Sequence, residues 1–386
     1  MIFSLEVLEA KHGDCLLLHY GEITNPSTIV IDGGPAGVYR ENLKPRLKEI
    51  KDNISQDRPL RLSMVMVSHL DDDHVNGILQ LTDDIDDEHE FEVKDLWVNT
   101  FDDIIGNIQL PVISGVSASN VASAISTLPI DQGTEPSIAA VIASTGQGRK
   151  LRDIATKLHC RVNHPFKNLN GKSALVRGDT NQKPIGWGDL RITIIHPDEQ
   201  RLVRLQKQWD DDLMKAKAKG DNTIIFASLT SPDTSPFNLS SIVCLVELEG
   251  KKILLTGDGR SDDIYDGLKL NKLVDPQGSM HVDILKMPHH GSIRNMKNDF
   301  LEKVTADHYV ISADGNNDNP DEALLALFVD TVKNGTLHLT NQDGKQNLKK
   351  KLDRFTKNLQ AANSKVKVEF LKGKPIVIDL LEGINF

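Results

Sequence analysis

The feature that most constrains this chain is a seven-residue segment holding two imidazoles and three carboxylates. It reads Ser68-His69-Leu70-Asp71-Asp72-Asp73-His74 and follows an apolar stretch from Leu62 to Val67. A run rich in Val and Met predicts a buried strand, which would hold the following loop rigidly. Imidazole and carboxylate at this spacing favour zinc, manganese or iron over calcium or magnesium. We therefore predict half of a two-metal site rather than a solvated acidic turn, with the candidate ligands His69, Asp71, Asp73 and His74.

Other apolar strands of the chain also end in residues that a metal site needs. These segments are Asp32-Gly33-Gly34, Thr256-Gly257-Asp258, His289-His290-Gly291-Ser292 and Ser312-Ala313-Asp314. Each one alone is typical of a turn. α/β folds, however, place their sites where strand ends gather at one sheet edge. Together with the first segment, they favour one shared site.

The overall composition is that of a globular protein. The 386 residues could form one large domain or two average ones, with 39% apolar and 26% charged residues. A formal net charge of −10 argues against a broad basic face for nucleic acid. A bound nucleic acid would therefore have to meet a local basic patch or a metal.

Targeting signals are not evident in the sequence. Met1 to Leu8 alternates like a strand and lacks a basic start and a cleavable apolar core, and no stretch approaches the length of a membrane span. The cysteines are scattered and odd in number, and we interpret Cys15, Cys160 and Cys244 as reduced core residues. We predict a cytoplasmic protein that does not contact a membrane.

Strand and helix signals alternate along the first hundred residues, which predicts a layered α/β fold. Residues 101–188 are more irregular and predict a mostly helical insert within a single domain spanning 1–386. Later segments predict a long charged helix and a hairpin turning at Glu249-Gly250. The predicted helices of this middle region are Ser117–Ser126, Ile138–Ala143, Lys150–His159 and Glu199–Lys219.

The ordered motifs resemble the metallo-β-lactamase superfamily. They are Gly13-Asp14, Asp32-Gly33-Gly34, Ser68-His69-x-Asp71-x-Asp73-His74-x-x-Gly77, Thr256-Gly257-Asp258 and Leu285-Lys286-x-Pro288-His289-His290-Gly291-Ser292. Within the superfamily the set is most similar to the soluble domain of ComEC-type DNA-uptake proteins and their stand-alone relatives. The resemblance covers about residues 1–100 and 190–345. It implies a four-layer αββα sandwich of two mixed sheets, with a two-metal site between the sheet edges.

The resemblance also implies roles for the motif residues. His69 and Asp71 would bind the first metal, Asp73 and His74 the second, and Asp258 would bridge the two. One of His289 and His290 would complete the second metal; we favour His289, which leaves His290 facing substrate. Asp71 stands where most of the superfamily has a histidine, so the site is harder and favours two divalent ions, Mn²⁺ first and Zn²⁺ next. Asp14 and Asp32 are expected to orient ligand histidines.

The sequence departs from the superfamily pattern at two places. Most members supply another histidine to the first metal from a loop that here reads Pro236-Phe237-Asn238-Leu239-Ser240-Ser241. The nearest candidate is His196, which is equally well explained as a strand-end residue before a proline. Asn319-Pro320 stands where relatives often carry His-Pro, and an asparagine cannot donate a proton at neutral pH.

Two metal ions can activate a water without a side-chain nucleophile. We therefore predict a hydrolase that uses a metal-bound hydroxide on a phosphodiester of DNA, RNA or a nucleotide. Asp73 would act in catalysis, and His290 or Ser292 would contact the phosphate or protonate the leaving group.

Two alternatives are left open. The same metals could hydrolyse an ester, lactone or amide, which a deep apolar pocket would favour. An open groove with basic side chains such as Arg149, Lys150 and Arg152 would favour a polymer. Alternatively, the chain is a partner-regulated effector subunit whose insert binds protein. A protein partner or a homo-oligomer remains open in either case.

Overall fold

The computed structural model describes residues 1–54, 58–100, 103–104, 136–166, 175–179, 183–204 and 240–383. The predicted helix Ser117–Ser126, most of Glu199–Lys219 and the loop 236–239 lie outside these residues. No helix in the described ranges is both long and apolar enough to cross a bilayer. Cys15, Cys160 and Cys244 are free thiols, two of them buried. A cytoplasmic location stays a prediction.

The first sheet has eight strands in the described chain and is mixed. Its order is β16-β1-β2-β3-β4-β6-β7, with β5 also paired to β4. The strands are β1 (Ile2–Val7), β2 (Leu16–Glu22), β3 (Asn25–Ile31), β4 (Leu60–Met66), β5 (Phe91–Val93), β6 (Asp95–Trp97), β7 (Arg161–Val162) and β16 (Ile376–Asp379).

The second sheet also has eight described strands, in the order β15-β14-β13-β12-β11-β10-β9-β8. From β11 to β15 the neighbours run parallel, so their carboxyl ends meet at one edge. The strands are β8 (Ile185–Trp187), β9 (Leu190–His196), β10 (Val243–Leu248), β11 (Lys251–Leu255), β12 (Met280–Lys286), β13 (Val304–Ile311), β14 (Asn334–Leu339) and β15 (Lys365–Phe370).

Three apolar cores separate four layers. One core lies between the sheets, where side chains such as Ile31 and Met66 meet Leu255 and Ile284. A second core joins the first sheet to three helices, α1 (Lys44–Ile54), α2 (Asp72–Glu88) and α3 (Pro136–Lys157). The third joins the second sheet to α4 (Ser261–Leu270), α5 (Phe300–Lys303), α6 (Glu322–Thr331) and α7 (Leu348–Ala361). This is the predicted four-layer αββα sandwich.

The structure differs from the predictions in several elements. The helices expected at 138–143 and 150–159 are one helix, α3, which Gly146 and Gly148 do not interrupt. Strands β7 and β8 fall within residues 101–188, so part of the predicted insert belongs to the two sheets. Strands β14, β15 and β16 were not predicted, although β15 alternates Lys and Val as an edge strand does.

Candidate metal centre

The H-x-D-x-D-H segment spans the junction between a strand and a helix. Strand β4 ends at Met66, and α2 begins at Asp72, so Asp73 and His74 lie on the first helical turn rather than in a loop. Asp71 occupies the N-cap position, yet its carboxylate makes no capping hydrogen bond. The side chain is thereby free to serve the site.

Glycines allow α2 to lie directly on the turn after β3. The N–H of Gly33 donates to the carbonyl oxygen of His74 at 2.7 Å, and the N–H of Gly77 donates to that of Gly34 at 3.0 Å. A Cβ on Gly77 would lie 1.9 Å from the Gly33 oxygen, which no side chain could tolerate. This contact fixes His74 against the Asp32 turn.

Asp258, which follows β11, lies at the middle of the site. Its Oδ1 is 3.4 Å from the Nε2 atoms of both His74 and His290. Its Oδ2 is 3.4 Å from Nε2 of His289 and 3.8 Å from Nε2 of His69. The two oxygens of one buried carboxylate therefore face two different pairs of imidazoles.

Two further carboxylates complete these pairs. Asp71 Oδ2 lies 3.6 Å from His69 Nε2, and Asp73 Oδ2 lies 3.5 Å from His290 Nε2. We call His69, Asp71, His289 and Asp258 Oδ2 the first ligand group. The second ligand group is Asp73, His74, His290 and Asp258 Oδ1.

Among the described residues, the ligand atoms of Asp14, His74, Asp258 and His290 lie within 4.8 Å of one another and could hold a metal ion. An ion with tetrahedral bonds of about 2.1 Å separates its ligand atoms by about 3.4 Å, close to the separations found here. His69 Nε2 and Asp258 Oδ1 are buried and have no hydrogen-bond partner among the described residues. Because buried polar atoms are nearly always paired, these two atoms are suited to ligation.

Each imidazole is oriented through its other nitrogen. His74 Nδ1 lies 2.9 Å from Asp32 Oδ2, and His289 Nδ1 lies 2.8 Å from Asn295 Oδ1. His290 Nδ1 lies 2.9 Å from the Ser312 carbonyl oxygen, and His69 Nδ1 lies 3.0 Å from Ser68 Oγ. With Nδ1 as the donor, all four Nε2 atoms keep a lone pair for a metal.

The two carboxylates expected to orient histidines have different contacts. Asp32 accepts hydrogen bonds from the N–H and Oγ of Ser68, both at 2.7 Å, besides contacting His74. Asp14 pairs with the fully buried Lys286, and its other oxygen lies 3.5 Å from His290 Nδ1. Burial alone would raise the pKa of Asp14, but the Lys286 ammonium and then His290 lower it to about 2. Asp14 therefore stays ionised.

The charges of the site favour cations. It holds five carboxylates and the buried ammonium of Lys286, which leaves four negative charges that two divalent ions would balance. The carboxylates are Asp14, Asp32, Asp71, Asp73 and Asp258. Burial alone would lower the pKa values of His74 and His290. The neighbouring carboxylates, of which Asp258 has the largest effect, raise both pKa values instead. Divalent ions would compete with those protons for the same nitrogen atoms.

The side chains of His290 and Ser292 have other neighbours than the sequence predicted, and His196, which was left open, lies apart from both ligand groups. His290, not His289, lies beside Asp73 and His74, because the backbone turns sharply between them and sends His289 to the first ligand group. A contact between His290 and substrate stays a prediction. Ser292 Oγ lies 3.4 Å from Asp321 Oδ2 and has no described contact with either ligand group. His196 lines a separate cavity of about 350 Å³ with Arg201 and Asp263.

Asn295 was not among the residues predicted from the sequence. Its side chain bonds both His289 Nδ1 and, at 3.0 Å, the carbonyl oxygen of Asp258. No sequence motif indicates that an asparagine six residues after a histidine will orient it. The contact arises only when the loop folds.

No family model and no curated protein matches the sequence. Among solved structures the chain is similar to the metallo-β-lactamase fold protein YhfI from Bacillus subtilis, at 10% identity over 98% of this chain and 100% of that one, with a TM-score of 0.41. It is also similar to unliganded yeast PDE1, at 10% identity over 98% and 99% of the two chains, with a TM-score of 0.32. Similarity this weak does not identify a function. Any proposal of a function therefore has to start from the two ligand groups.

Proposed function

We propose that this protein is a dinuclear metal-dependent hydrolase of phosphodiesters, related to the ComEC-type branch of the metallo-β-lactamase superfamily. The observation that carries the proposal is the convergence of four imidazole Nε2 atoms on the two oxygens of Asp258. Each ligand group then offers two imidazoles and two carboxylate oxygens. This set suits Mn²⁺ or Zn²⁺.

Two such ions would lower the pKa of a water to about 7 and neutralise charge on a phosphate. The protein's own residues hold and orient the ligand atoms. The imidazoles of His69, His74 and His290 are almost fully buried, whereas the side chains of Asp71 and Asp73 are 29% and 20% exposed. We infer that substrate approaches from this carboxylate side and that Asp73 contacts the attacking water.

A nucleic-acid substrate is supported by the uneven distribution of charge. Between residues 333 and 374 the sequence has eleven Lys and Arg but only three Asp and Glu, within a chain of net charge −10. Several of these residues are exposed on α7 and the loop before it. That loop is close to the site, because Lys345 N–H donates to the Asp314 carbonyl oxygen at 2.7 Å, two residues after Ser312. These exposed basic residues would attract a phosphate backbone and bring it near the metal centre.

The test of this proposal is the removal of the shared carboxylate. We expect the protein with added Mn²⁺ to cleave bis(p-nitrophenyl) phosphate and single-stranded DNA, and Asp258→Asn to lower the rate at least about 10³-fold because both ions lose a ligand. Asp283→Asn is the matched control, since Asp283 bonds Lys251 and Lys252 in the same sheet away from the site.

Other outcomes would contradict the proposal. Full activity in Asp258→Asn would exclude the dinuclear centre. Hydrolysis of lactone or ester substrates without phosphodiester cleavage would keep the centre but replace the substrate class. A wild-type protein that binds no divalent ion would favour the partner-regulated subunit instead.

A further inference from the structure

The loop that carries both site histidines has a strained backbone. His289, His290 and Gly291 follow one another with φ values of 47°, 53° and 82°. The left-handed region is sterically unfavourable for residues with a Cβ, and both histidines occupy it. Contacts from outside the loop must therefore hold this conformation.

Asp321 supplies such contacts. Its Oδ2 accepts a hydrogen bond from the N–H of Ile293 at 2.6 Å and lies 3.4 Å from Ser292 Oγ. Its own N–H donates to the carbonyl oxygen of Gly291 at 3.0 Å. One residue thus binds the chain on both sides of Ser292, directly after the two histidines.

The position of Asp321 makes these contacts unexpected. It is the N-cap residue of α6, where an aspartate normally accepts a hydrogen bond from an N–H of the first helical turn. No such bond forms here. The carboxylate instead accepts a hydrogen bond from the histidine loop, and α6 has no side-chain hydrogen bond at its N-terminus.

The segment around Asp321 is itself anchored from behind. Lys351 of α7 is buried, and its Nζ donates to Asp318 O at 2.6 Å and to Pro320 O at 2.9 Å. Asn319 Nδ2 in turn lies 3.5 Å from the carbonyl oxygen of His289. Residues 318–321 therefore connect a packed helix to the strained loop.

We propose that Asp321 is a positioning residue of the metal centre. It holds the left-handed backbone at His289 and His290, so that these neighbouring imidazoles face opposite oxygens of Asp258. This role rests on the proposed metal centre. It acts through the loop backbone and requires an acceptor oxygen rather than a negative charge.

The test compares Asp321→Ala, Asp321→Asn and the control Asp275→Ala. Asp275 is a suitable control because its carboxylate also accepts two backbone hydrogen bonds, from Gln277 and Ser279, in a turn outside the site. Calorimetric titration of metal-stripped protein with Mn²⁺ should show affinity about 10- to 100-fold weaker in Asp321→Ala. Asp321→Asn should stay within about threefold of wild type, because its amide oxygen accepts the same bond, and Asp275→Ala should not change.

A second measurement needs no metal. Amide hydrogen exchange at Ile293 should be at least about tenfold faster in Asp321→Ala, and close to wild type in Asp321→Asn. A folded Asp321→Ala with wild-type Mn²⁺ affinity would overturn the inference, as would an Asn variant as impaired as Ala. If the wild type binds no Mn²⁺, the proposed function fails, while exchange at Ile293 still reports whether Asp321 holds the loop.

Discussion

At the scale of single residues, the site is defined by the partners of its histidine nitrogens. Asp32 contacts His74 of the second ligand group directly and reaches His69 of the first group only through Ser68, whereas Asn295 contacts His289 of the first group. The contributions of the two residues to metal binding should therefore be separable.

We expect Asp32→Asn to weaken mainly the ion of the second ligand group and Asn295→Ala mainly that of the first. Loss of an orienting partner typically lowers metal affinity 10- to 100-fold, so each variant should keep one tightly bound ion. Metal content after dialysis against a weak chelator measures this, with wild type retaining two ions. Equal loss of both ions in both variants would mean that the groups are not independent in this way.

A second residue-scale prediction concerns the neighbouring histidines His308 and His338 on the inner face of the second sheet. Burial, followed by the charge of His308, lowers the pKa of His338 to about 4. The folded protein thus favours neutral His338. The stability that this residue contributes is fully present above about pH 6.5 and is lost as the pH falls toward 4. By pH 5 the loss from this group should be about 2 kcal/mol.

Urea unfolding at pH 7.5 and pH 5 of wild type and His338→Gln measures this difference, since the variant lacks the titrating group. His281→Gln, at an exposed histidine on β12, is the control and should unfold with the pH dependence of wild type. If His338→Gln lost as much stability as wild type between pH 7.5 and pH 5, the assignment to His338 would be wrong.

At the scale of elements, close packing of α2 on the turn after β3 sets the position of His74. We expect Gly77→Ala to cost at least about 2 kcal/mol of unfolding free energy and to weaken Mn²⁺ binding, because the added methyl would collide with Gly33. Gly146→Ala in α3 is the matched helix glycine, with no described atom within 4 Å of the added Cβ. It should gain up to about 1 kcal/mol from helix propensity.

Chemical denaturation of both variants checks this pair. A neutral Gly77→Ala would show that α2 can move away from the turn, and the rigid attachment of His74 would then be wrong.

The elements also show what the sequence could predict. Apolar runs ending in Asp258 or Ser68-His69 predicted the strand exits, because a buried strand and its polar end are local patterns. The destinations of His289 and His290 were not predictable, since a left-handed turn between them decides which oxygen each one faces. Asn295 was missed for a similar reason: its two partners, His289 and Asp258, meet it only in the folded protein.

At the scale of the whole molecule, an acidic protein carries a basic C-terminal region. If this region guides nucleic acid, Lys350→Glu with Lys357→Glu on α7 should lower cleavage of single-stranded DNA at least about tenfold and leave bis(p-nitrophenyl) phosphate hydrolysis unchanged. The exposed Lys272→Glu, beyond the end of α4, is the control. Steady-state rates on both substrates at two salt concentrations test this, and an equal fall on both would place the effect at the metal centre instead.

The adjacency of His289 and His290 has a geometric consequence. Consecutive residues face opposite oxygens of one carboxylate, with their ring centroids 5.9 Å apart. Two ions held by these groups would therefore depend on the same short stretch of backbone. Inserting or deleting a single residue there would displace a candidate ligand of each group at once.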